Sequence, residues 1–587
     1  MARWFEIRKG ADFTKIGEKY GISPVLARII RNRELTEDRQ IEKFLYGTIE
    51  EVYDGKLLKD MNKAVAIINE KIRTGKKMRV IGDYDVDGIC ASYILKKGLT
   101  LCGADADIVI PHRMKDGYGI NEQLIKDACE DEVDTIITCD NGIAAYAQIE
   151  YANSLGITCI VTDHHEVPYE VVEGKKQFIL PPAKAVVDPK QEDCTYPYKN
   201  ICGAVVAWKL VLKLWEGYSA TENDRREILE FAGIATVCDV MELLDENRII
   251  VKEALKSMKN SANLGLRSLI KIHDIHLENL NAHHLGFVLG PCFNATGRLD
   301  SATRTLELLE CKNERECIFL AAELKRLNES RKEMTEQGVE EAIRKIEEEK
   351  LEKDNVMVVY LPDCHESLAG IIAGRIREKY YRPVFILTKG EDCIKGSGRS
   401  IDGYSMYDEM SKCKELFLKF GGHKLAAGLS MEEKNVELFR KILNDNCSLT
   451  GEELEERVYI DITMPFAYAT QEFMNELKLL EPFGTGNSKP VFAQRNITFL
   501  SMRIMGKTGD MAKFSVEDEQ GNRYSLVLFR HLDKFLKDVE QKYGGNVLNA
   551  FINQNRNSGV KMHVIYYPSI NEYMGRREIQ YVMKDWM

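Results

Sequence analysis

Three aspartates alternate over five residues, at Asp83, Asp85 and Asp87. Backbone alternation would place their carboxylates near one another, and adjacent anions repel unless a cation lies among them. Carboxylate oxygens are hard ligands, which suit Mg²⁺ or Mn²⁺ better than a soft metal. The pattern therefore indicates a divalent-metal site, although by itself it is equally compatible with a solvated acidic turn.

The elements around these aspartates favour the metal site. A short apolar run at 78–81 precedes them and a segment with helical periodicity at 89–101 follows, which predicts a strand, a tight turn and a helix. Two later strand-like runs also end in side chains that can bind metal: Asp140, and then Asp163, His164 and His165. Alternating strands and helices predict a parallel sheet, and open parallel sheets bind ligands beyond the carboxyl ends of their strands. We therefore expect these side chains to meet at one edge of a sheet.

Three of these motifs resemble those of the DHH phosphoesterases: Asp-Tyr-Asp-Val-Asp-Gly at 83–88, Cys-Asp-Asn-Gly at 139–142 and Asp-His-His at 163–165. Four later stretches narrow the resemblance to the RecJ family of single-strand-specific 5′ exonucleases: Asn-Ala-Thr-Gly-Arg at 294–298, Gly-Ser-Gly-Arg-Ser at 396–400, Gly-Gly-His-Lys-Leu-Ala-Ala-Gly at 421–428 and Glu-Pro-Phe-Gly-Thr-Gly-Asn at 481–487. The match runs over nearly the whole chain, and the combination is highly specific.

The resemblance implies hydrolysis of a phosphodiester with two divalent metal ions, Mn²⁺ or Mg²⁺. By that resemblance Asp140 would bridge the metals and His165 would touch the scissile phosphate, as a ligand or as a proton-transfer group. The further metal ligands would be Asp85 for one ion, and Asp87, His164 and Asp239 for the other, with Asp83 as an extra ligand or an outer acid. The 5′-terminal phosphate would be held by Arg113, Arg298, Ser397 and Arg399, with His423 nearby.

A chain of 587 residues is too long for one hydrophobic core. We predict an α/β protein with a C-terminal β-barrel, and the resemblance names its parts: a parallel-sheet DHH domain with a helical lead-in over 1–302, a connecting helix over 303–353, a second α/β, DHH-associated substrate-binding domain over 354–458, and an OB-fold over 459–587. The lead-in is expected to pack on the first domain, and the connecting helix to break or bend near Gly338.

One stretch departs from the family pattern. The family usually has Trp-His, with Gly two residues after the His, whereas here Cys364 precedes His365 and Ser367 replaces the glycine. The departure leaves open how the first turn of the following helix meets the substrate.

Composition narrows the range of partners and compartments. The formal net charge of −11 counts against a protein that coats DNA broadly, but phosphate contacts need only a local basic path. Basic and aromatic residues interleave in the C-terminal region, where Tyr573, Arg576 and Arg577 are candidate contacts for single-stranded nucleic acid. The fifteen cysteines form no Cys-x-x-Cys motif, and neither a membrane-spanning run nor a signal-peptide core is visible. We predict a disulfide-free cytoplasmic protein.

The resemblance also implies a monomer that acts on single-stranded DNA in recombination and repair, with single-strand-binding protein and a RecQ-type helicase as partners. Two alternatives share the metal core. Phosphodiesterases of short oligonucleotides or cyclic dinucleotides commonly have a His where this chain has Ile81, and they lack the barrel. A catalytically inactive DNA-binding scaffold would have lost metal-binding acids, and none is missing here.

Overall fold

The computed structural model describes residues 3–113, 116–117, 119–506, 509–552, 559–573 and 576–587. The chain divides into two compact units. One unit consists of residues 52–241 and 246–456, and the other consists of residues 1–51, 242–245 and 457–587. Within the described ranges, no helix has the length and apolar character needed to cross a membrane.

The N-terminal residues belong to the same unit as the C-terminal barrel. They form β1 (Arg3–Glu6), α1 (Phe13–Tyr20), α2 (Pro24–Asn32) and α3 (Asp38–Tyr46). β1 pairs in parallel with strand β14 (Arg457–Ile460), and the buried side chains of Ile29, Ile30 and Phe44 join the barrel core. This differs from the expectation that the lead-in packs on the first α/β domain. The physical reason is that β1 pairs with a C-terminal strand while the apolar faces of α2 and α3 cover the barrel core.

A five-stranded, all-parallel sheet forms the first α/β region. Its strands are β2 (Met78–Ile81), β3 (Ala106–Val109), β4 (Thr135–Cys139), β5 (Thr158–Thr162) and β8 (Ala185–Val187), in the order β3-β2-β4-β5-β8. Its helices are α4 (Met61–Arg73), α5 (Val86–Leu101), α6 (Glu122–Glu130), α7 (Tyr146–Ser154), α8 (Gly203–Leu214) and α9 (Glu222–Cys238). An exposed hairpin, β6 (Tyr169–Val172) and β7 (Lys175–Phe178), follows β5. Strands β2 and β4 are buried at every position, as expected for central strands covered on both faces.

A helical region continues the chain. It comprises α10 (Asp245–Met258), α11 (Leu264–Ile272), α12 (Ala282–His284), a π-helical segment (Leu285–Leu289), α13 (Gly290–Leu299), α14 (Thr303–Glu310) and α15 (Glu314–Glu348). Of the predicted break or bend near Gly338, the break is wrong, because α15 runs through this residue without interruption. A Cβ atom at Gly338 would lie 2.5 Å from Ile372 Cδ1. The glycine therefore permits a close approach between two helices.

The second α/β region has a mixed sheet with the strand order β12-β13-β11-β10-β9. Its elements are β9 (Met357–Tyr360), α16 (Ala369–Tyr380), β10 (Val384–Lys389), β11 (Ile394–Arg399), α17 (Met406–Ser411), β12 (Phe417–Gly422), β13 (Ala426–Met431) and α18 (Val436–Asp445). Only β9 and β10 pair in parallel among these strands. Separate apolar clusters pack against the sheet, one of which includes α16 and the last turns of α15.

The C-terminal region is a closed barrel, as predicted. Its elements after β14 are β15 (Ile462–Thr463), α19 (Gln471–Leu477), β16 (Phe492–Met505), β17 (Met511–Glu517), β18 (Arg523–Leu528), α20 (Leu532–Tyr543), α21 (Gly545–Ile552), β19 (Lys561–Tyr573) and β20 (Arg576–Trp586). Five strands follow the order β16-β17-β18-β20-β19, and the pairing of β16 with β19 closes the barrel.

Candidate active site

The predicted metal ligands meet beyond the carboxyl ends of β2, β4 and β5, joined by Asp239 at the end of α9. Potential ligand atoms form three groups, each with all of its atoms within 4.8 Å of one another: Asp83, Asp85 and Asp140; Asp87, His164 and Asp239; and Asp140, His164 and His165. Asp140 and His164 each belong to two groups, and His164 Nε2 lies 3.1 Å from Asp140 Oδ1. The structure therefore brings all seven predicted residues together.

The turns after β2 and β4 hold two of these aspartates in place. Asp85 is the N-cap of α5, and its Oδ1 accepts hydrogen bonds from the backbone N–H groups of Asp87 and Gly88 at 2.9 and 3.1 Å. Asp140 adopts a φ of +58°, an unfavourable value for a non-glycine residue. Next to it, Asn141 Nδ2 donates to the carbonyl oxygens of Ile81 and Cys139. That amide ties the two strand ends together and supports the strained turn.

Asp87 is held by the start of α8. Its two carboxylate oxygens accept hydrogen bonds from the N–H groups of Gly203 and Ala204, at 2.6 and 2.7 Å. The positive end of the helix dipole stabilises a carboxylate at this position. A Cβ atom on Gly203 would lie 2.8 Å from the Cβ of Asp140, so glycine is needed for α8 to come this close.

Asp163 positions His165, a role that the sequence reasoning did not assign. Its Oδ1 lies 2.7 Å from His165 Nδ1 and also accepts from the backbone N–H of His164, while its Oδ2 accepts from the N–H of Ile143. Burial acts to raise the pKa of Asp163, but the two histidines lower it overall. Burial acts to lower the pKa of His165, but the bond to Asp163 and nearby carboxylates raise it to about 9. The sequence signal for the positioning role of Asp163 was its place as the first residue of the Asp-His-His motif.

The donor set fits a hard divalent cation. Burial, followed by neighbouring carboxylates, raises the pKa values of Asp83 and Asp239 to about 8 and those of Asp85 and Asp140 above their ordinary range. Burial lowers the pKa of His164, which keeps its ring neutral and able to bind metal. At this site Asp83 Oδ1, His164 Nε2 and Asp239 Oδ2 are buried without a hydrogen bond to the described residues. Carboxylate oxygens make up most of this donor set, and such oxygens suit Mn²⁺ or Mg²⁺.

We expect divalent-cation binding at this site to release protons. Asp83 and Asp239 have pKa values of about 8, and a metal ligand must be deprotonated. Both acids lose their protons as the pH rises through about 8, so the apparent affinity for Mn²⁺ should rise over the same range. Isothermal titration calorimetry at neutral pH, in buffers of different ionisation enthalpy, measures the number of protons released. Asp239→Asn should lower that number, and a binding enthalpy independent of the buffer would contradict the prediction.

Three arginines converge beside the metal ligands. The guanidinium of Arg113 lies 5.0 Å from the centre of the Tyr84 ring. Tyr84 stands between Asp83 and Asp85 in the chain. Burial and then Arg113 lower the pKa of Arg298 to about 10, and burial followed by Arg377 and Arg113 lowers that of Arg399. Neither Arg298 nor Arg399 forms a salt bridge with a carboxylate in the part of the chain that the structure describes. Uncompensated guanidinium groups in a buried site favour an anionic ligand.

Strand β11 and the first turn of α16 complete this arginine pocket. Ser397 and Arg399 alternate on β11 and so point to the same face of the sheet. A Cβ atom at Gly370 would lie 2.9 Å from Arg399 Nη2 and 3.1 Å from Ser397 Oγ, which places the helix N-terminus against both side chains. The positive end of α16 therefore adds to the attraction for an anion.

The departure at Ser367 preserves a contact with this pocket. Arg298 Nη1 donates to the carbonyl oxygen of Ser367 at 2.7 Å, a contact that needs only backbone. The hydroxyl of Ser367 lies 2.7 Å from His365 Nδ1, which fixes the turn before α16. Ser367, which replaces the family's glycine, therefore positions Arg298 through its backbone.

Other residues near the pocket are harder to predict from the sequence. His423 lies exposed in the turn between β12 and β13, and its N–H donates to Ala426, the residue paired with Arg399 across β13 and β11. Arg331 on α15 lowers the pKa of Arg298, and Arg377 on α16 lowers that of Arg399. Sequence reasoning missed these two arginines, since nothing separates them from the other basic residues of long helices.

The barrel carries an open cleft of about 800 Å³ on the surface of β16, β17, β18 and β20. Its basic and aromatic lining includes Arg503, Lys513, Arg523 and Tyr524. Among the predicted nucleic-acid contacts, Arg577 is exposed and lies 3.3 Å from Glu572, whereas the side chains of Tyr573 and Arg576 lie outside the described residues. Interleaved cations and rings suit unpaired bases and their phosphates, so this cleft is the candidate nucleic-acid surface of the barrel.

Comparison with known proteins decides the family. Family models match residues 77–236 (DHH family, N-terminal domain), 353–449 (DHHA1 domain) and 460–585 (RecJ OB domain). The single-stranded-DNA-specific exonuclease RecJ of Bacillus subtilis is 31% identical, over 99% of this chain and 70% of its own length. RecJ of Escherichia coli is 31% identical over 96% of this chain and 95% of its own length. This chain belongs to the RecJ family.

A solved RecJ structure has the same fold. RecJ of Thermus thermophilus in complex with Mn²⁺ superposes with a TM-score of 0.79 at 25% identity, covering 100% of this chain and 79% of that one. The same Thermus protein was also solved with Mg²⁺. The predicted fold class, two α/β domains and an OB barrel, is thereby confirmed.

Proposed function

We propose that this RecJ-family protein is a metal-dependent exonuclease that degrades single-stranded DNA from the 5′ end to mononucleotides. The observation that supports the proposal is that the arginine pocket lies directly beside the metal-binding acids. Arg113 lies over Tyr84, which stands between two metal-binding acids, and the pKa of Arg298 responds to both Arg113 and Asp85. A terminal phosphate held by the arginines therefore lies close to the metal-binding acids.

We assign the ligands by their grouping in the structure. Asp83 and Asp85 would hold one cation, Asp87, His164 and Asp239 would hold the other, and Asp140 lies near both sets. Two bound Mn²⁺ or Mg²⁺ ions would supply an activated water and neutralise charge on the phosphate. The protein contributes a rigid frame, because Asp85 and Asp87 are fixed by backbone N–H groups at the starts of α5 and α8.

His165 acts on the scissile phosphate through Nε2. Its Nδ1 lies 2.7 Å from Asp163 Oδ1, so we assign the substrate contact to the other ring nitrogen, Nε2. A pKa of about 9 keeps the ring protonated at neutral pH. The ring then stabilises negative charge on a phosphate oxygen and delivers a proton to the leaving 3′-oxygen.

The arginine pocket sets the polarity of cleavage. Arg113, Arg298 and Arg399, with Ser397 and the start of α16, form the donor set for a monophosphate. His423 lies at the same end of the sheet as Arg399 and completes the pocket rim. A 5′-terminal phosphate bound in this pocket would place the phosphodiester bond after the first nucleotide at the metal centre. Each cleavage would then release one mononucleotide.

The proposal extends to the compartment and partners. Unwinding by a RecQ-type helicase and coating by single-strand-binding protein produce the strand that such an enzyme consumes in recombination and repair. We assign a monomer, since both parts of the proposed site come from one chain. All fifteen cysteines are free thiols, which suits the reducing compartment that holds the chromosome, the cytoplasm.

A digestion experiment tests the function. A long 5′-phosphorylated single strand, a blunt duplex and a dinucleotide are incubated with Mn²⁺, Mg²⁺ or EDTA. We expect the single strand to be shortened stepwise from the 5′ end, the duplex to be spared, and EDTA to stop the reaction. Faster cleavage of the dinucleotide than of the long strand would favour the short-oligonucleotide alternative. Binding without hydrolysis under every metal condition would favour the inactive scaffold.

A further inference from the structure

A row of accessible residues leads away from Arg298 along one helix. Helix α12, the π-helical segment and α13 follow one another without a break from residue 282 to residue 299. The row consists of His283, Phe287, Pro291, Asn294 and Arg298. Spacings of three and four residues place these positions on one helical face. All five are exposed or partly exposed, whereas Leu285 and Leu289 are buried.

Two aromatic rings form the far end of this row. The rings of His283 and Phe287 are stacked, with centroids 4.8 Å apart and an interplanar angle of 22°. Phe287 is 69% exposed. The exposed ring lies in a π-helical segment, and such segments often occur at functional sites. The pair offers a flat apolar surface on the same helix as an arginine of the phosphate pocket.

The opposite face of the helix is fixed to the metal-bearing end of α9. A Cβ atom at Gly290 would collide with the Cys238 side chain, and Cys238 Sγ donates to the carbonyl oxygen of Leu285 at 3.5 Å. Asp239 and Val240 follow directly, and Val240 is 66% exposed with a φ of +59°, a strained value for a β-branched residue. The helix therefore passes the metal-binding acids on its way from Arg298 to Phe287, about 16 Å at 1.5 Å per residue.

We propose that Phe287, supported by His283, stacks on an unpaired base of the substrate strand on the 3′ side of the cleaved bond. This inference rests on the proposed function, since it needs a strand whose 5′ phosphate occupies the arginine pocket. Every base has a π-face, so such a platform binds any sequence. Bases in a duplex are already stacked and paired, so Phe287 also contributes to the preference for single strands.

Two variants and a matched control test the platform. Phe287→Ala removes the ring and Phe287→Trp retains a stacking surface, while Phe319→Ala removes a comparably exposed ring, 63% accessible, from α15. We expect Phe287→Ala to raise KM for long 5′-phosphorylated strands about 5- to 150-fold, as loss of one stacked base predicts. The loss should be smaller for dinucleotides. Phe287→Trp should restore most of the affinity, and Phe319→Ala should match the wild type.

Abasic strands separate this inference from the proposed function. In the inactive Asp140→Ala background, binding should fall when one particular nucleotide near the 5′ end lacks its base, and Phe287→Ala should remove that dependence. Equal binding of every abasic strand to the parent protein, or equal losses for Phe287→Ala and Phe319→Ala, would overturn the platform and leave the exonuclease proposal standing. Failure of the wild type to cleave any single strand would instead overturn the proposed function.

Discussion

Replacing Asp140 should abolish hydrolysis while single-strand binding largely survives. Asp140 is grouped with Asp83 and Asp85 on one side and with His164 on the other, so we expect its loss to disrupt both cation sites at once. Initial rates on a 5′-phosphorylated single strand, measured beside its dissociation constant, provide the check. An Asp140→Ala rate within about tenfold of the wild type would contradict the assignment of Asp140 between the two metals.

Comparing two substitutions at Asp140 separates the effect of losing the charge from the effect of altering backbone strain. Asp140 has a φ of +58°, a conformation that asparagine tolerates better than alanine. Asp140→Asn should therefore be as inactive as Asp140→Ala while unfolding at a temperature closer to that of the wild type. If only the alanine variant is inactive, the effect comes from the turn and not from metal binding.

The wild type should cleave a 5′-phosphorylated strand faster than the same strand with a 5′-hydroxyl, and Arg399→Ala should erase much of that preference. Charge-assisted hydrogen bonds contribute about 1.5–3 kcal/mol, which corresponds to roughly 10- to 150-fold in rate at subsaturating substrate. Arg399 has no carboxylate partner among the described residues, so its removal should act mainly through the substrate phosphate. Competition between the two labelled strands in one reaction measures the ratio directly.

Arg226→Ala is the matched control for this variant. Arg226 is exposed on α9 and pairs with Glu222, so its loss changes the net charge equally without touching the pocket. The control should keep the wild-type preference for the 5′ phosphate. Equal rates on both strand ends in the wild type, or the same loss in both variants, would argue against the arginine pocket.

The metal centre was predictable because of how parallel sheets are built. Side chains that follow parallel strands meet at one edge, so the ends of β2, β4 and β5 had to bring Asp83, Asp140 and His164 together. The contribution of Asp239, at the end of a helix, came only from family resemblance. The domain boundaries near residues 302, 353 and 458 stay predictions.

Two features could not be predicted from the residue pattern. Helical periodicity shows which face of α2 is buried, but it does not show what covers that face, so the partner of the N-terminal segment was missed. Likewise, Arg331 comes near Arg298 because α15 packs on α13, and Arg377 comes near Arg399 because α16 packs on β11. Such contacts depend on tertiary packing between segments distant in the chain.

The shared core of the two chain ends has a consequence for synthesis on the ribosome. Ile29 and Ile30 share one apolar core with Phe492 and Tyr566, which are translated several hundred residues later. At about 5–20 residues per second, the first 51 residues wait roughly half a minute to two minutes for these partners to emerge. During that interval the catalytic unit between them can already fold, while the N-terminal helices expose an apolar face. Transiently exposed apolar surface of this kind makes a nascent chain prone to aggregation.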